Sequence, residues 1–300
     1  MLVQNCAQTS DCADDSHYNR LLLPTLQRDR LDVLLVSPRN PLNIGAAARA
    51  MANFGFERLS IVAPFATNWM EAKSAVGAPE LLRHAQVFDT VAEAVREATL
   101  VIGTGSLDRR RPEQTLLGLP EAAAVIRQTL AGVEPTPEAD QPAKTYIKTP
   151  RVALLFGSEK HGLTSDDLTW CHAMLTIETS EIQPSMNLGQ SVAVVLYEIS
   201  RLVSNTDTLT EATSGLGIGL LGESLPAFNL PVSEQLDRLA LLIEETMAAV
   251  NYQTRGLRSA NGHALRILLR RLMPHDADLR RIMGLFRRIL WQLRHQNVQK

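Results

Sequence analysis

Arg49 is the only charge in the first two turns of a run of small and apolar residues, AAARAMANFGF, that begins directly after Asn43-Ile44-Gly45. It is either a functional cation or a surface residue whose stem snorkels along the helix. Two further places gather polar groups. Gly103-Thr104-Gly105-Ser106 closes a predicted strand, the position where open α/β sheets bind ligands. Ser185 and Asn187 stand where a helix begins, and free N–H groups and the helix dipole there favour bound polar atoms. Asp108-Arg109-Arg110-Arg111-Pro112 puts three arginines on a loop, suited to phosphates and equally readable as a solvated charge run. Ten arginines from Arg255 to Arg294 face only Asp276 and Asp278, which suggests a basic surface for a polyanion; simple packing of helices on the rest of the chain is the alternative.

These residues need a scaffold, and the segment 151–200 is its centre. Val152 to Phe156 is an apolar run that reads as a buried strand; it ends on Gly157, and Gly162 follows. A short strand near Leu175 to Ile177 precedes Gln183-Pro184-Ser185-Met186-Asn187-Leu188-Gly189, where Pro184 fixes a turn. Val192, Val195, Leu196, Ile199 and Leu202 then recur at helical spacing. Upstream, strands are expected at Leu31 to Val36, Leu59 to Val62, Gln86 to Phe88 and Leu100 to Ile102. Helices are expected over the alanine-rich run, with Asn43 as its cap and Gly55 at its close, over 67–83, from Thr90 to Ala98 and from Leu119 to Leu130. Trp69, Met70 and Ala72 are the expected contacts of the 67–83 helix. The alternation predicts a parallel α/β domain over 29–203. The small alanines would let their helix pack close to a sheet or to a partner subunit.

Residues 1–28 read as a flexible extension; Cys6, Cys12 and His17 match no zinc spacing. Residues 131–145 read as a surface connection and 204–232 as a linker. Gly217 to Gly222 matches GxGxxG but lacks the flanking strand and helix of a nucleotide site. Residues 233–300 read as a separate helical module of three amphipathic helices, the second stopped by Pro274. The net charge of −2 announces no nucleic-acid binder by itself, and Cys6, Cys12 and Cys171 form no disulfide framework. No signal peptide and no membrane span are expected, and cytoplasmic residence fits.

Three motifs in order carry a resemblance. Asn43, Gly45 and Arg49 match an Asn-x-Gly followed by a helix with an arginine. Phe156, Gly157, Glu159, Gly162 and Leu163 match Phe-Gly-x-Glu-x-x-Gly-Leu, and Ser185, Met186, Asn187 and Leu188 match a Ser-Leu-Asn-Leu type loop. Over about 30–203 the chain resembles the SPOUT ribose methyltransferases, and within them the TrmJ-like tRNA/rRNA branch, which also carries a helical extension. The resemblance implies a deep trefoil knot, a homodimer whose sites are completed by the partner subunit, and no metal. It implies S-adenosylmethionine held by Thr104, Gly105, Gly157, backbone near Ile177, and Leu188. Arg49 would polarise a ribose 2′-hydroxyl and grip the adjacent phosphate, with Ser185 and Asn187 orienting ribose and arginine. Glu159 would be structural, bonding loop N–H groups, and His161 a surface residue. The implied activity is 2′-O-methylation of RNA, with tRNA cytidine or uridine at position 32 as the leading target. A ribosomal RNA target and an inactive RNA-binding knot protein are the alternatives, while a nicotinamide oxidoreductase rests only on the glycine run.

Overall fold

The computed structural model describes residues 23–65, 78–106, 112–132, 149–201, 230–250, 252 and 258–296. The expectations for Cys6, Cys12, His17, Trp69, Met70, Ala72, Asp108 to Arg111, Leu202, Gly217 to Gly222, Arg255 and most of the 1–28, 131–145 and 204–232 segments lie outside them.

Seven parallel strands form one sheet in the order β3-β2-β1-β6-β4-β7-β5. They are β1 (Leu31–Val36), β2 (Leu59–Val62), β3 (Gln86–Phe88), β4 (Leu100–Thr104), β5 (Thr115–Gly118), β6 (Val152–Phe156) and β7 (Ala173–Thr176). The last two strands of the chain are inserted between earlier ones: β6 between β1 and β4, and β7 between β4 and β5. Their apolar runs follow from burial on both faces. In β1, Leu31, Val33 and Leu35 enter the core on one side, while Leu34 and Val36 join Val101, Leu155 and Cys171 on the other.

The helices are α1 (Thr25–Arg28), α2 (Pro41–Asn53), α3 (Pro79–Arg83), α4 (Val91–Ala94), α5 (Leu119–Ala131), α6 (Ser165–Leu168), α7 (Leu188–Ser200), α8 (Ser233–Ala249), α9 (Arg258–Leu272) and α10 (Asp276–Gln296). Helix α2 starts earlier than expected. Pro41, with φ preset for a helix, occupies the first turn, and Asn40 is the cap, its side chain accepting from Leu42 N–H at 3.0 Å. Asn43 is therefore not the cap and is free for other work. Gly55 closes the helix at φ +70°, and a β-carbon there would strike Arg28. The alanines of α2 are consumed within the chain, with Ala47, Ala48 and Ala50 buried. A β-carbon on Gly189 would lie 2.6 Å from that of Ala46, so α2 and α7 touch through their smallest residues. The helix expected to end at Ala98 stops at Ala94, one turn after its Thr90 cap. Strand β5 and the one-turn α6 are additions to the expected elements, and β7 runs Ala173–Thr176 rather than Leu175 to Ile177.

Helices α8–α10 share a small core of Leu236, Leu239, Ala240, Leu269 and Leu279. They pack against the sheet's lower end. Ser233 N–H donates to Ala98 O at 2.8 Å, Glu234 N–H to Arg96 O at 3.2 Å, and His263 lies 2.8 Å from Asp166. Arg270 is fully buried at this seam. Its Nε donates to Trp170 O at 3.1 Å, an outer nitrogen to Ser233 Oγ at 2.9 Å, and its guanidinium lies 5.0 Å from the Trp170 ring centroid. Burial lowers its pKa to about 10, so it stays charged at neutral pH. Beside it, burial pushes the Cys171 thiol up to about 12 and drops His172 to about 3. His172 is thus neutral, accepting Val101 N–H on Nδ1 at 3.0 Å.

Candidate active site at the strand ends

The carboxyl ends of β6, β4 and β7 are neighbours in the sheet, so the segments following them meet at one rim. Gly157 follows β6, Thr104 ends β4 with Gly105 after it, and Ile177 follows β7. The three segments that carry these four residues are far apart in sequence and lie on neighbouring strand ends. Thr104 does not present a free hydroxyl, however, since its Oγ1 donates to Leu155 O at 3.0 Å. Gly105 N–H likewise donates to Leu175 O at 3.1 Å. Both fasten adjacent strand ends. Leu188 is buried as the first residue of α7.

The loop after β6 curls back on itself. Gly162, at φ +65°, donates its N–H to Ser158 O at 2.8 Å, and the two residues form an antiparallel bridge. Gly157 lies against the Gly162–Leu163 backbone, where no β-carbon fits. The curl brings Glu159 to the start of α2. Its carboxylate accepts Arg39 N–H at 2.9 Å, Asn40 N–H at 3.1 Å and Asn43 Nδ2 at 2.9 Å. Asn43 Oδ1 in turn accepts Asn187 Nδ2 at 3.0 Å, and Asn187 Oδ1 caps α7 by accepting Gly189 N–H at 2.9 Å. One hydrogen-bond chain thus joins all three motif segments. Partial burial opposes ionisation of Glu159, but the bonds from Asn43, its own N–H, Arg39 and Asn40 outweigh it and hold the carboxyl below its ordinary range. Glu159 binds loop N–H groups as expected. Asn43 was expected to cap; its place in the third position of α2, where side chains can reach past the helix end, is the signal for its bridging role.

Neither Arg49 nor Ser185 enters that chain. Arg49 is exposed on α2, two turns beyond the exposed Leu42 on the same face, and no hydrogen bond or ion pair holds it among the described residues. Ser185 is exposed, and its carbonyl accepts Gln183 Nε2 at 3.4 Å. At the opposite end of the sheet a cleft of about 640 Å³ is lined by Asp32, Phe56, Arg58, Glu80 and His84. Its one strand-borne carboxylate, Asp32, is already held between Arg58 and Arg151, so the polar chemistry lies at the rim instead.

The family model described as "SpoU rRNA Methylase family" matches residues 30–197. The tRNA (cytidine/uridine-2′-O-)-methyltransferase TrmJ of Citrobacter koseri is 28% identical over 269 residues, 89% of this chain and 98% of its own. The tRNA (cytidine/uridine/adenosine-2′-O-)-methyltransferase TrmJ of Pseudomonas aeruginosa is 37% identical over 172 residues, 57% of this chain and 60% of its own. The crystal structure of TrmJ from Z. mobilis superposes with a TM-score of 0.66 at 26% identity, over 86% of this chain and 98% of that one. Both matches, at 89% and 86% of this chain, are too long to stop at residue 197 and so reach into the C-terminal helices. With the three motif segments joined at one rim and the family match covering the whole sheet, the chain belongs to the SpoU rRNA methylase family and is TrmJ-like.

Proposed function

We propose that the chain transfers a methyl group from S-adenosylmethionine to a ribose 2′-hydroxyl of RNA, and that its target is a tRNA cytidine or uridine at position 32. The observation that carries the reading is the chain of bonds from Glu159 through Asn43 to Asn187, which ties the three motif segments at a ligand-type strand end. The full-length similarity to tRNA methyltransferases, C-terminal helices included, favours tRNA over ribosomal RNA.

The rim suits S-adenosylmethionine. Its strand ends are glycine-rich, backbone polar groups line them, and Glu159, the loop's carboxylate, is committed elsewhere. Gly105, Gly157, Ile177 and Leu188 would hold the adenosine part through backbone groups, with Thr104 fixing the strand end under it. When bound, the cofactor supplies an electrophilic methyl on a sulfonium. Arg49 serves by polarising the 2′-hydroxyl and gripping the neighbouring phosphate. Asn187, already locked by its cap, and Ser185 orient the ribose. The absence of a hydrogen bond or ion pair to Arg49 among the described residues supports a homodimer in which Arg49 meets the partner's rim. Insertion of β6 and β7 between earlier strands supports a trefoil knot over 151–200. Residues 233–300 form the RNA-anchoring module, joined through the 204–232 linker to the methyltransferase domain over 29–203; the protein acts in the cytoplasm.

Incubation with labelled S-adenosylmethionine and total RNA, followed by mapping of the modified ribose, tests the reading. Label at position 32 of tRNA is expected. Label confined to ribosomal RNA would move the target, and binding of NADH without S-adenosylmethionine would overturn the activity.

A further inference from the structure

The loops leaving β1 and β2 are adjacent on the rim, and each begins with a non-glycine residue in the left-handed region: Ser37 at φ 49° and Ala63 at φ 44°. Such conformations are strained for residues with a side chain and persist where a surface must be held in a set shape. The two loops are laced together, Ser37 N–H donating to Val62 O at 2.8 Å and Phe65 N–H to Pro38 O at 3.2 Å. What they present is Phe65, 71% exposed, with the Arg39 guanidinium 4.5 Å from its ring centroid. Arg39 is no stray surface cation, because its own N–H is bound by Glu159 and so placed by the bonds that place Asn187. An open aromatic face beside a planar guanidinium fork has the two features that grip a splayed nucleotide: a platform for a base and a partner for a phosphate.

We propose that Phe65 and Arg39 form a nucleotide clamp at the rim, in which a base flanking the target ribose stacks on Phe65 and Arg39 engages the backbone phosphate. The inference rests on the RNA methyltransferase reading and adds to it how the substrate strand is held. Among the described residues neither side chain hydrogen-bonds the cofactor segments, so the clamp acts on RNA affinity and not on cofactor binding.

The test is steady-state methylation of unmodified tRNA by the full chain carrying Phe65→Ala, Phe65→Tyr or Arg39→Ala. Calorimetric S-adenosylmethionine binding and sedimentation accompany the kinetics. Phe65→Ala and Arg39→Ala should each raise KM for tRNA about tenfold, within the range of base–aromatic stacking and phosphate contacts, while kcat changes less than about threefold. Phe65→Tyr, which keeps the ring, should stay within about twofold of wild type in KM. Unchanged KM in both alanine variants would overturn the clamp and leave the methyltransferase reading standing. So would loss of cofactor binding alongside the KM change, which would mark a structural role. Dissociation of the oligomer by Phe65→Ala would overturn it too, giving the ring to a second copy of the chain instead. Absence of methyl transfer by the wild type to any RNA would overturn both readings together.

Discussion

At the rim, Glu159 is exposed and gathers backbone N–H groups, those of Arg39 and Asn40 among them, and the Asn43 amide; at the C-terminal seam, Arg270 is buried and bonds three neutral oxygens, Trp170 O, Ser233 Oγ and Arg266 O. The rim carboxylate keeps much of its hydration, so its task is to set position at small energetic cost. The seam guanidinium has given up its water, and its stability depends on every neighbour it found. On the proposed reading, charge at the rim serves the reaction more than the fold, and the seam reverses this. The expected basic surface over Arg255 to Arg294 is accordingly divided. Arg266 pairs with Asp237 and faces Trp170, Arg270 is buried, and Arg280, Arg281 and Arg294 pair with Asp276, Asp278 and Glu245. Arg271, Arg287 and Arg288 are exposed, Arg288 lying over the half-exposed Trp291 ring.

The sharpest way to break the comparison is at Arg49. Arg49→Ala should lower single-turnover methyl transfer by at least ~100-fold, as loss of a positioned charge-stabilising group does. Its unfolding midpoint and S-adenosylmethionine affinity should stay near wild type, since no described group bonds it. A rate within about tenfold of wild type would remove Arg49 from the reaction. The converse variant is Arg270→Ala, which should cost about 3 kcal/mol in urea unfolding by leaving Trp170 O and Ser233 Oγ unpaired beside a cavity. Arg270→Met, similar in volume and uncharged, should recover most of that. Equal losses in both would mean the charge itself stabilises the seam.

How much of this the sequence disclosed follows the same division. The rim was legible because glycines and polar residues punctuate apolar runs there: Gly103 to Ser106, Gly157 to Gly162 and Ser185 to Asn187 each lie at a strand or helix end. What stayed hidden was pairing between segments. Nothing local says that Asn43 bonds Glu159 and Asn187, 116 and 144 residues away, rather than capping its own helix. Strand β5 was missed because Thr115–Gly118 is an edge strand with Leu116 exposed and only Leu117 buried, so no apolar run marks it, and it gains its stability by pairing with β7. The arginines were overcounted as a surface because charge density in sequence does not reveal which side chain faces the interior.

That division makes a smaller, quantitative claim. Replacing Arg287 and Arg288 together with Gln should weaken tRNA binding and lower the slope of log affinity against log salt by about 2, one for each phosphate no longer neutralised. Replacing Arg280 and Arg281, already paired with Asp276 and Asp278, should lower it less. Equal slopes from the two pairs would show that the surface ion pairs open to RNA and would erase the distinction between exposed and engaged arginines.

The smallest effect separates the two regions by pH. His172 at the seam has a folded pKa of about 3 against an ordinary 6.5, so as pH falls the unfolded chain takes up the proton first. Its contribution to stability is complete above 6.5 and is lost progressively toward about 3. Glu159 is also depressed, from an ordinary 4.5, so its share is complete above 4.5 and is lost as pH falls through its lower folded value. Acid unfolding should therefore have two limbs. His172→Asn, which keeps an acceptor for Val101 N–H, should flatten the limb between 6.5 and 4.5. Glu159→Gln should leave that limb alone and flatten only the part below 4.5, at a cost near ~1 kcal/mol at neutral pH because the group is exposed. Unfolding free energies measured at closely spaced pH values resolve the two. If Glu159→Gln altered the upper limb, the rim and the seam would be one electrostatic unit, and the contrast between a charge that positions and a charge that holds would fail.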